Sequence, residues 1–131
     1  MPQIRIGTSG YQYKHWKGDF YPKDMPVKDW FGHYSRFFDT VEINNTFYRM
    51  PQAETFVEWK KAAPPNFCYA IKYSRYGTHR KKLKDPGDHV NYLLDRVLHL
   101  DQTLGPVLVQ LPPNWKCNPG RLREFLDVTP K

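Results

Sequence analysis

Lys72, Arg75, Arg80, Lys81, Lys82 and Lys84 fall in one acid-free stretch that also holds His79, the strongest electrostatic feature of the chain. Cations at this density form either a solvated basic loop or a surface that neutralises phosphate. Proton transfer needs a different group, and Glu42, in the run Asp39-Thr40-Val41-Glu42-Ile43-Asn44-Asn45, is the acid best placed for it, with His79 as its acid/base partner. No second carboxylate accompanies Glu42, so a paired-carboxylate glycosidase mechanism finds no support. Glu42 and His79 are acceptable metal ligands, but a catalytic zinc takes about three protein ligands, and no metal is assigned. His15, His33, His89 and His99 show no HExxH spacing and read as surface or helix-flank residues. Ser9 lies in Gly7-Thr8-Ser9-Gly10, which lacks the G-x-S-x-G elbow, so it is read as a loop hydroxyl or a backbone amide offered to a ligand. Gly7, Gly10 and Gly18 form neither a P-loop nor a dinucleotide fingerprint, and no cofactor is assigned.

These residues need a scaffold, and 131 residues suffice for one domain with a single core. Apolar residues make up 40% and charged residues 25%, the balance of a globular protein. Aromatic residues reach 16%, which excludes a disordered chain because so much surface must be buried. No apolar run approaches the roughly 18 residues of a membrane span. The start Met1-Pro2-Gln3-Ile4-Arg5 lacks a signal peptide's regions, so the expected location is cytoplasmic and no membrane partner is expected. Cys68 and Cys117 are the only cysteines and have no CxxC spacing, which argues against a disulfide scaffold or a thiolate zinc site. A net charge of +7 favours anionic partners, either phosphate-bearing small molecules or nucleic acid.

Strand and helix signals alternate along the chain. The first strand is expected at Gln3 to Gly7, with Ile4 and Ile6 at period-2 spacing before the turn Gly7-Thr8-Ser9-Gly10. A loop through Tyr11, Tyr13, Trp16, Phe20 and Tyr21 to Pro26 follows, too aromatic to be a mere spacer. Helix one is expected over Val27 to Phe38, and strand two over Thr40 to Asn44. Helix two spans Gln52 to Ala63 and ends at Pro64-Pro65; strand three is Cys68 to Lys72. Helix three starts at Asp85-Pro86, an N-cap and N1 pair; Gly105-Pro106 introduces strand four over Val107 to Leu111, and a last helix covers Pro119 to Val128. Strands alternating with amphipathic helices imply an α/β fold with a parallel sheet and four βα units of roughly 30 to 40 residues.

Side-chain parity chooses between an open doubly wound sheet and half of a TIM-type (β/α) barrel. Val41, Ile43, Tyr69, Ile71, Val107, Val109 and Leu111 fall on the face that must meet the helices. The other face carries Arg5, Ser9, Thr40, Glu42, Asn44, Cys68, Ala70, Lys72, Leu108 and Gln110. That face turns polar toward the carboxyl ends of the strands, which suits a barrel interior opening at the mouth where barrel enzymes keep their sites. Arg5 and Glu42 would otherwise form a structural ion pair in the barrel floor, and Gln110 a satisfied core amide.

The segments Ile6-Gly7-Thr8-Ser9-Gly10-Tyr11, Phe20-Tyr21-Pro22 and Phe38 through Tyr48, with Leu104 to Pro113 further on, resemble the YecE-like family, a domain of unknown function. The resemblance implies a TIM barrel and covers essentially this whole chain, while members of the family run to nearly twice its length. It thus implies that residues 1–131 are the N-terminal half of one barrel domain. Two sheet edges would then be open, and the chain is a fragment of a longer protein, a truncated reading frame, or a half that closes as a homodimer. The first two are the preferred reading.

The candidate site combines Thr8, Ser9, Tyr11 and Trp16 with Glu42, Asn44, Asn45 and Tyr48, with Lys72, Arg75 and His79, and with Gln110 and Asn114. Glu42 and His79 take the catalytic roles and the rest bind ligand, Lys72 and Arg75 holding phosphate while Tyr11, Trp16, Tyr48 and Tyr76 stack on bases or sugars. The expected activity is hydrolysis of nucleic acid or a sugar phosphate. The alternatives are a non-catalytic nucleic-acid-binding module and an inactive remnant.

Overall fold

Residues 2–131 are described by a computed structural model. Four parallel strands form one sheet in the order β1-β2-β3-β4, with β1 at Thr8–Ser9, β2 at Thr40–Ile43, β3 at Cys68–Lys72 and β4 at Leu104–Leu108. Sequential neighbours paired in parallel require each crossover to pass over one face. The helices on that face are α1 (Trp30–Tyr34), α3 (Ala53–Ala62), α4 (Pro86–Val97) and α5 (Pro119–Val128); a short α2 (Asn45–Tyr48) caps the end of β2. None of these helices is long and apolar enough to cross a membrane.

In the two central strands the alternation expected from sequence holds. Val41, Ile43, Tyr69 and Ile71 are buried in the core, where Phe56, Phe67, Val90, Leu93 and Val97 pack against them, while Thr40, Glu42, Cys68, Ala70 and Lys72 stay half-exposed on the opposite face. β3 has the expected boundaries, and β2 ends one residue earlier than expected.

The flanking strands differ from expectation. Pairing in β1 is confined to Thr8 and Ser9, opposite Val41 and Glu42, so the expected turn is strand and the expected strand at Gln3 to Gly7 is unpaired. Ile4 and Ile6 are 84% and 73% exposed. Gly7 still runs against β2, since a Cβ there would sit 2.2 Å from the Thr40 carbonyl oxygen. Arg5 ties the segment down without reaching Glu42: its Nη1 donates to Asp39 Oδ2 at 3.0 Å and to the Asn66 carbonyl at 2.6 Å. The Arg5–Glu42 pair, the structural alternative read from the sequence, does not form; Arg5 pairs with Asp39 at the amino end of the sheet.

β4 begins three residues before its expected start. Leu104 pairs with Tyr69 and Val107 with Ile71, with a register shift between them that absorbs Gly105 and Pro106. Proline lacks an N–H and is tolerated on an edge strand at a bulge, which is why a dipeptide that reads as a turn lies inside the strand. Gly105 is required by close approach, because a Cβ would lie 2.3 Å from Cys68 Sγ. The shift places Gln110 beyond the strand, exposed, and leaves Val107 and Leu108 exposed as well.

Helix one is shorter than expected, a 3-10 turn at Val27–Asp29 leading into α1. Its aromatic stripe packs on the loop before it: Tyr21 stacks on Trp30 at 4.5 Å, and the Tyr21 hydroxyl donates to the Tyr11 carbonyl at 2.6 Å. The basic segment after β3 folds into a π-helical turn at Tyr76–Arg80, an element that sequence periodicity did not reveal. Asp85 stands at the cap position of α4 but in the left-handed conformation with no side-chain cap bond, and its carboxylate accepts instead from Lys81. His89 is buried in α4, not at a surface or flank: Nε2 meets the Lys84 carbonyl at 3.1 Å, and Nδ1 meets the Tyr73 hydroxyl. In the last helix Phe125 alone reaches the core, while Leu122 and Leu126 are exposed.

Candidate functional site

A cavity of about 450 Å³ opens over the carboxyl ends of β1, β2 and β3. It brings together Ser9, Tyr11, Glu42, Asn44, Asn45, Tyr48 and Lys72 from the residues singled out in the sequence, and adds Gly10, Gln12 and Tyr13. These strand ends converge because the β1–β2 pairing continues past Ser9, the Gly10 amide donating to the Glu42 carbonyl at 2.9 Å. Gly10 has φ +77° and its missing side chain makes room for the Tyr13 hydroxyl, which donates to the Ser9 carbonyl.

At the centre is a directed set of hydrogen bonds. Asn44 Nδ2 donates to Ser9 Oγ at 2.9 Å, and Ser9 Oγ donates to Glu42 Oε1 at 3.0 Å. The serine proton is thus committed to the carboxylate, and Asn44 fixes the hydroxyl from the other side. Glu42 Oε2 has no hydrogen-bond partner among the described residues, which leaves it open to a ligand or a water. A half-exposed carboxylate held in this way can accept a proton from a group in the cavity.

Lys72 supplies the positive charge. Its ammonium lies 4.8 Å from the centroid of the Phe47 ring and makes no ion pair among the described residues. Thr46 Oγ1 donates to the Lys72 carbonyl at 2.7 Å, so α2 both pins the end of β3 and lays Phe47 beneath the lysine. The contact leaves the charge available to an anion. Burial raises the pKa of Tyr11 above the ordinary phenol value, with a hydrogen bond from Gln12 opposing it, so the Tyr11 hydroxyl keeps its proton.

The remaining residues singled out in the sequence do not line this cavity. Thr8 is used internally: its amide donates to the Tyr34 hydroxyl at 3.0 Å and its Oγ1 to the Gly10 carbonyl at 2.6 Å. Trp16 packs in the aromatic cluster with Tyr13, Phe20 and Tyr21. His79 shares a hydrogen bond with Thr78 at 2.8 Å and sets its ring edge-on to Phe47, while Arg75, Gln110 and Asn114 are exposed away from the cavity lining. Tyr13 and Gln12 were missed because an aromatic loop offers no spacing rule. The only signal was Gly10, whose turn brings Tyr13 back over Ser9. Among the described residues no three His, Cys, Asp or Glu side chains are grouped to hold a metal ion.

Comparison with known proteins gives a consistent picture. The family model described as "Protein of unknown function DUF72" matches residues 5–131. The YecE protein of Escherichia coli K12 is 30% identical over 98 residues, covering 74% of this chain and 36% of that protein. The crystal structure of a DUF72 family protein from Thermotoga maritima superposes with a TM-score of 0.77 at 29% identity, over 95% of this chain and 50% of that one. A DUF72 family protein from Enterococcus faecalis shares the fold, with a TM-score of 0.75 at 19% identity over 96% of this chain and 46% of that one. The chain therefore spans about half the length of the solved structures it matches, and less of the curated relative.

Proposed function

The chain belongs to the DUF72 family of proteins of unknown function, and from that membership we propose that residues 1–131 are the N-terminal half of a TIM-type barrel whose mouth binds a phosphate-bearing ligand. The parallel order β1-β2-β3-β4, helices on one face and a half-exposed, polar opposite face support the half-barrel reading. In that reading the exposed edges at β1 and β4 are covered by further strands of a longer protein or by a second copy. A compact, cooperatively melting monomer in light scattering excludes the second copy.

The observation that carries the ligand is a single cavity holding a free ammonium, Lys72, and an oriented carboxylate, Glu42, with Ser9 hydrogen-bonded into it. Lys72 contacts a phosphate oxygen, and Arg75 and the lysines of the following turn extend the positive field. Asn44 and Asn45 offer amide donors, and Tyr11 and Tyr48 offer ring surface to a sugar or base. Glu42 takes a proton from a water whose oxygen bonds to phosphorus, the ester P–O bond breaks, and the departing alkoxide takes its proton from solvent, a hydrolysis of nucleic acid or a sugar phosphate.

Binding of a labelled single-stranded oligonucleotide and of a sugar phosphate, followed across a salt series, tests the reading. Affinity for the oligonucleotide falls steeply with salt and drops in Lys72→Ala. Glu42→Gln abolishes turnover while leaving binding within about threefold. Salt-dependent binding with no turnover in the unmodified protein assigns the cavity to a non-catalytic binding module. Absence of binding to both probes overturns the proposal.

A further inference from the structure

A second cavity, of about 380 Å³, shares Tyr48 with the groove described above but none of that groove's charged residues. Its walls are the rings of Phe47, Tyr48, Tyr76 and Tyr92, closed by Asp88 and the edge of His89. The three tyrosines are 74%, 52% and 49% exposed, unusual for rings gathered about one hollow. Phe47 and Tyr48 meet edge to face at 5.0 Å, and Tyr48, Tyr76 and Tyr92 do not stack on one another; Arg96 lies over one face of Tyr92 at 5.3 Å and Lys72 over Phe47, neither of them lining the hollow.

Charge identifies the guest. The chain carries +7 overall, yet no Lys or Arg lines this hollow, and Asp88 is its one formally charged group. Asp88 makes no ion pair among the described residues. Of the other polar side chains on the wall, Ser74, Thr46 and His89 are already engaged. Ser74 Oγ accepts from the Gly77 amide at 3.1 Å, Thr46 Oγ1 donates to the Lys72 carbonyl, and both nitrogens of His89 are taken by Tyr73 and the Lys84 carbonyl. Ring faces carry negative quadrupole potential, already used by Lys72 over Phe47 and by Arg96 over Tyr92. Asp88 adds the only charge on the lining itself, so the hollow favours a cation, and a neutral apolar group gains nothing from the carboxylate. An alkylated ammonium ion is bulky and weakly hydrated, and it binds through ring faces and a counter-charge without needing hydrogen bonds.

We propose that this aromatic cavity is a binding site for a quaternary ammonium group, with Tyr48, Tyr76 and Tyr92 facing the methyl groups and Asp88 as counter-charge. It does not rest on the phosphate reading, since the two cavities share only Tyr48 and the ligands have opposite charge.

The test is titration of the intact chain with choline and with its neutral carbon isostere, 3,3-dimethylbutan-1-ol, followed by the ring resonances of the tyrosines. Choline shifts the Tyr76 and Tyr92 signals saturably, and the isostere binds about tenfold more weakly because only the charge differs. A trimethyl-lysine amide titrated in parallel distinguishes a methylated side chain from a free small molecule by which binds more tightly. Asp88 lies in the first turn of α4, where a carboxylate also favours the helix. Asp88→Asn therefore lowers the melting temperature whatever its role. Only a role in the site also collapses the choline-to-isostere ratio toward one, and a ratio unchanged in this variant removes Asp88 from the proposal. Equal affinity of choline and isostere for the unmodified chain, or no saturation by choline, overturns the site itself.

Discussion

The central strands and the flanking strands of this sheet obey the same sequence pattern and meet different fates. In β2 and β3 every second residue, Val41, Ile43, Tyr69 and Ile71, is buried under helices. In the flanks, Ile4, Ile6, Val107 and Leu108 are equally apolar and remain exposed. Alternation specifies which face a residue takes only when a strand is paired on both sides and covered. At an edge, the local chain decides: Gly7 and Arg5 set how the first segment lies on β2, and the bulge at Gly105-Pro106 shifts β4. The candidate site draws on both regions, with Glu42 and Lys72 on the central strands and Ser9 on a two-residue flank.

The largest contrast is expected in core truncation. Ile71 is fully buried, so Ile71→Ala loses about 2–5 kcal/mol of unfolding free energy in urea titration. Its neighbour across the ladder, Val107, is 36% exposed, and Val107→Ala costs less than about 1 kcal/mol. Equal losses at the two positions would show that the edge is as well covered as the centre.

Alkali separates the regions next. Burial raises the Tyr69 hydroxyl above the ordinary 10.0, as it does for Tyr21 and Tyr73, and the Tyr69 hydroxyl donates to the Trp59 carbonyl at 2.7 Å. The folded state keeps the proton where the unfolded chain gives it up. Stability from this group is therefore complete below pH 10.0 and declines as pH rises toward the folded value. Each such tyrosine adds to the downward slope of stability with pH in that range. Tyr69→Phe costs about 1 kcal/mol near neutrality through its lost hydrogen bond, and removes one increment of that slope above pH 10.0. A pH profile of urea midpoints that keeps its full alkaline slope in Tyr69→Phe would remove Tyr69 from the account.

Legibility followed the same divide. The α/β alternation, the bounds of β3 and α5 and the polar face bearing Glu42 and Lys72 were readable, because buried periodicity and strand parity act within a few residues. The offset of β4 was not, since Pro106 marks a turn in most settings and an edge bulge only beside a particular neighbour. His89 was read as a flank residue, because nothing local announces that Tyr73 and the Lys84 carbonyl will meet its two nitrogens. In the site, Ser9 was legible as a hydroxyl near strand ends. Its proton path to Glu42 and its support by Asn44 arise from pairing across 33 and 35 residues of sequence. Gln110 and Asn114 left the cavity for the same reason that β4 moved.

The smallest expected effect concerns the tether of the β4 edge. Lys60 on α3 donates from Nζ to Asp101 Oδ2 at 2.9 Å, and Asp101 lies in the 3-10 segment Leu98–Thr103 that leads directly into β4. The hydrogen bond from Lys60 and then its charge hold the Asp101 carboxyl below the ordinary 3.8. A carboxylate with a depressed folded value gives its full stabilisation above pH 3.8 and loses it as pH falls through that folded value. Both side chains are exposed, so solvent screens the pair and long side chains lose freedom in forming it. Lys60→Met should therefore lower the melting temperature by roughly 1 °C or less at neutral pH, with no difference remaining in acid or at about 1 M salt. Hydrogen exchange is the sharper measurement, because a tether that matters only to the edge speeds exchange in β4 and leaves β2 and β3 unchanged. If Lys60→Met instead destabilises the whole chain as much as Ile71→Ala, the edge is held by its tether and not by its ladder, and the contrast between centre and flank fails.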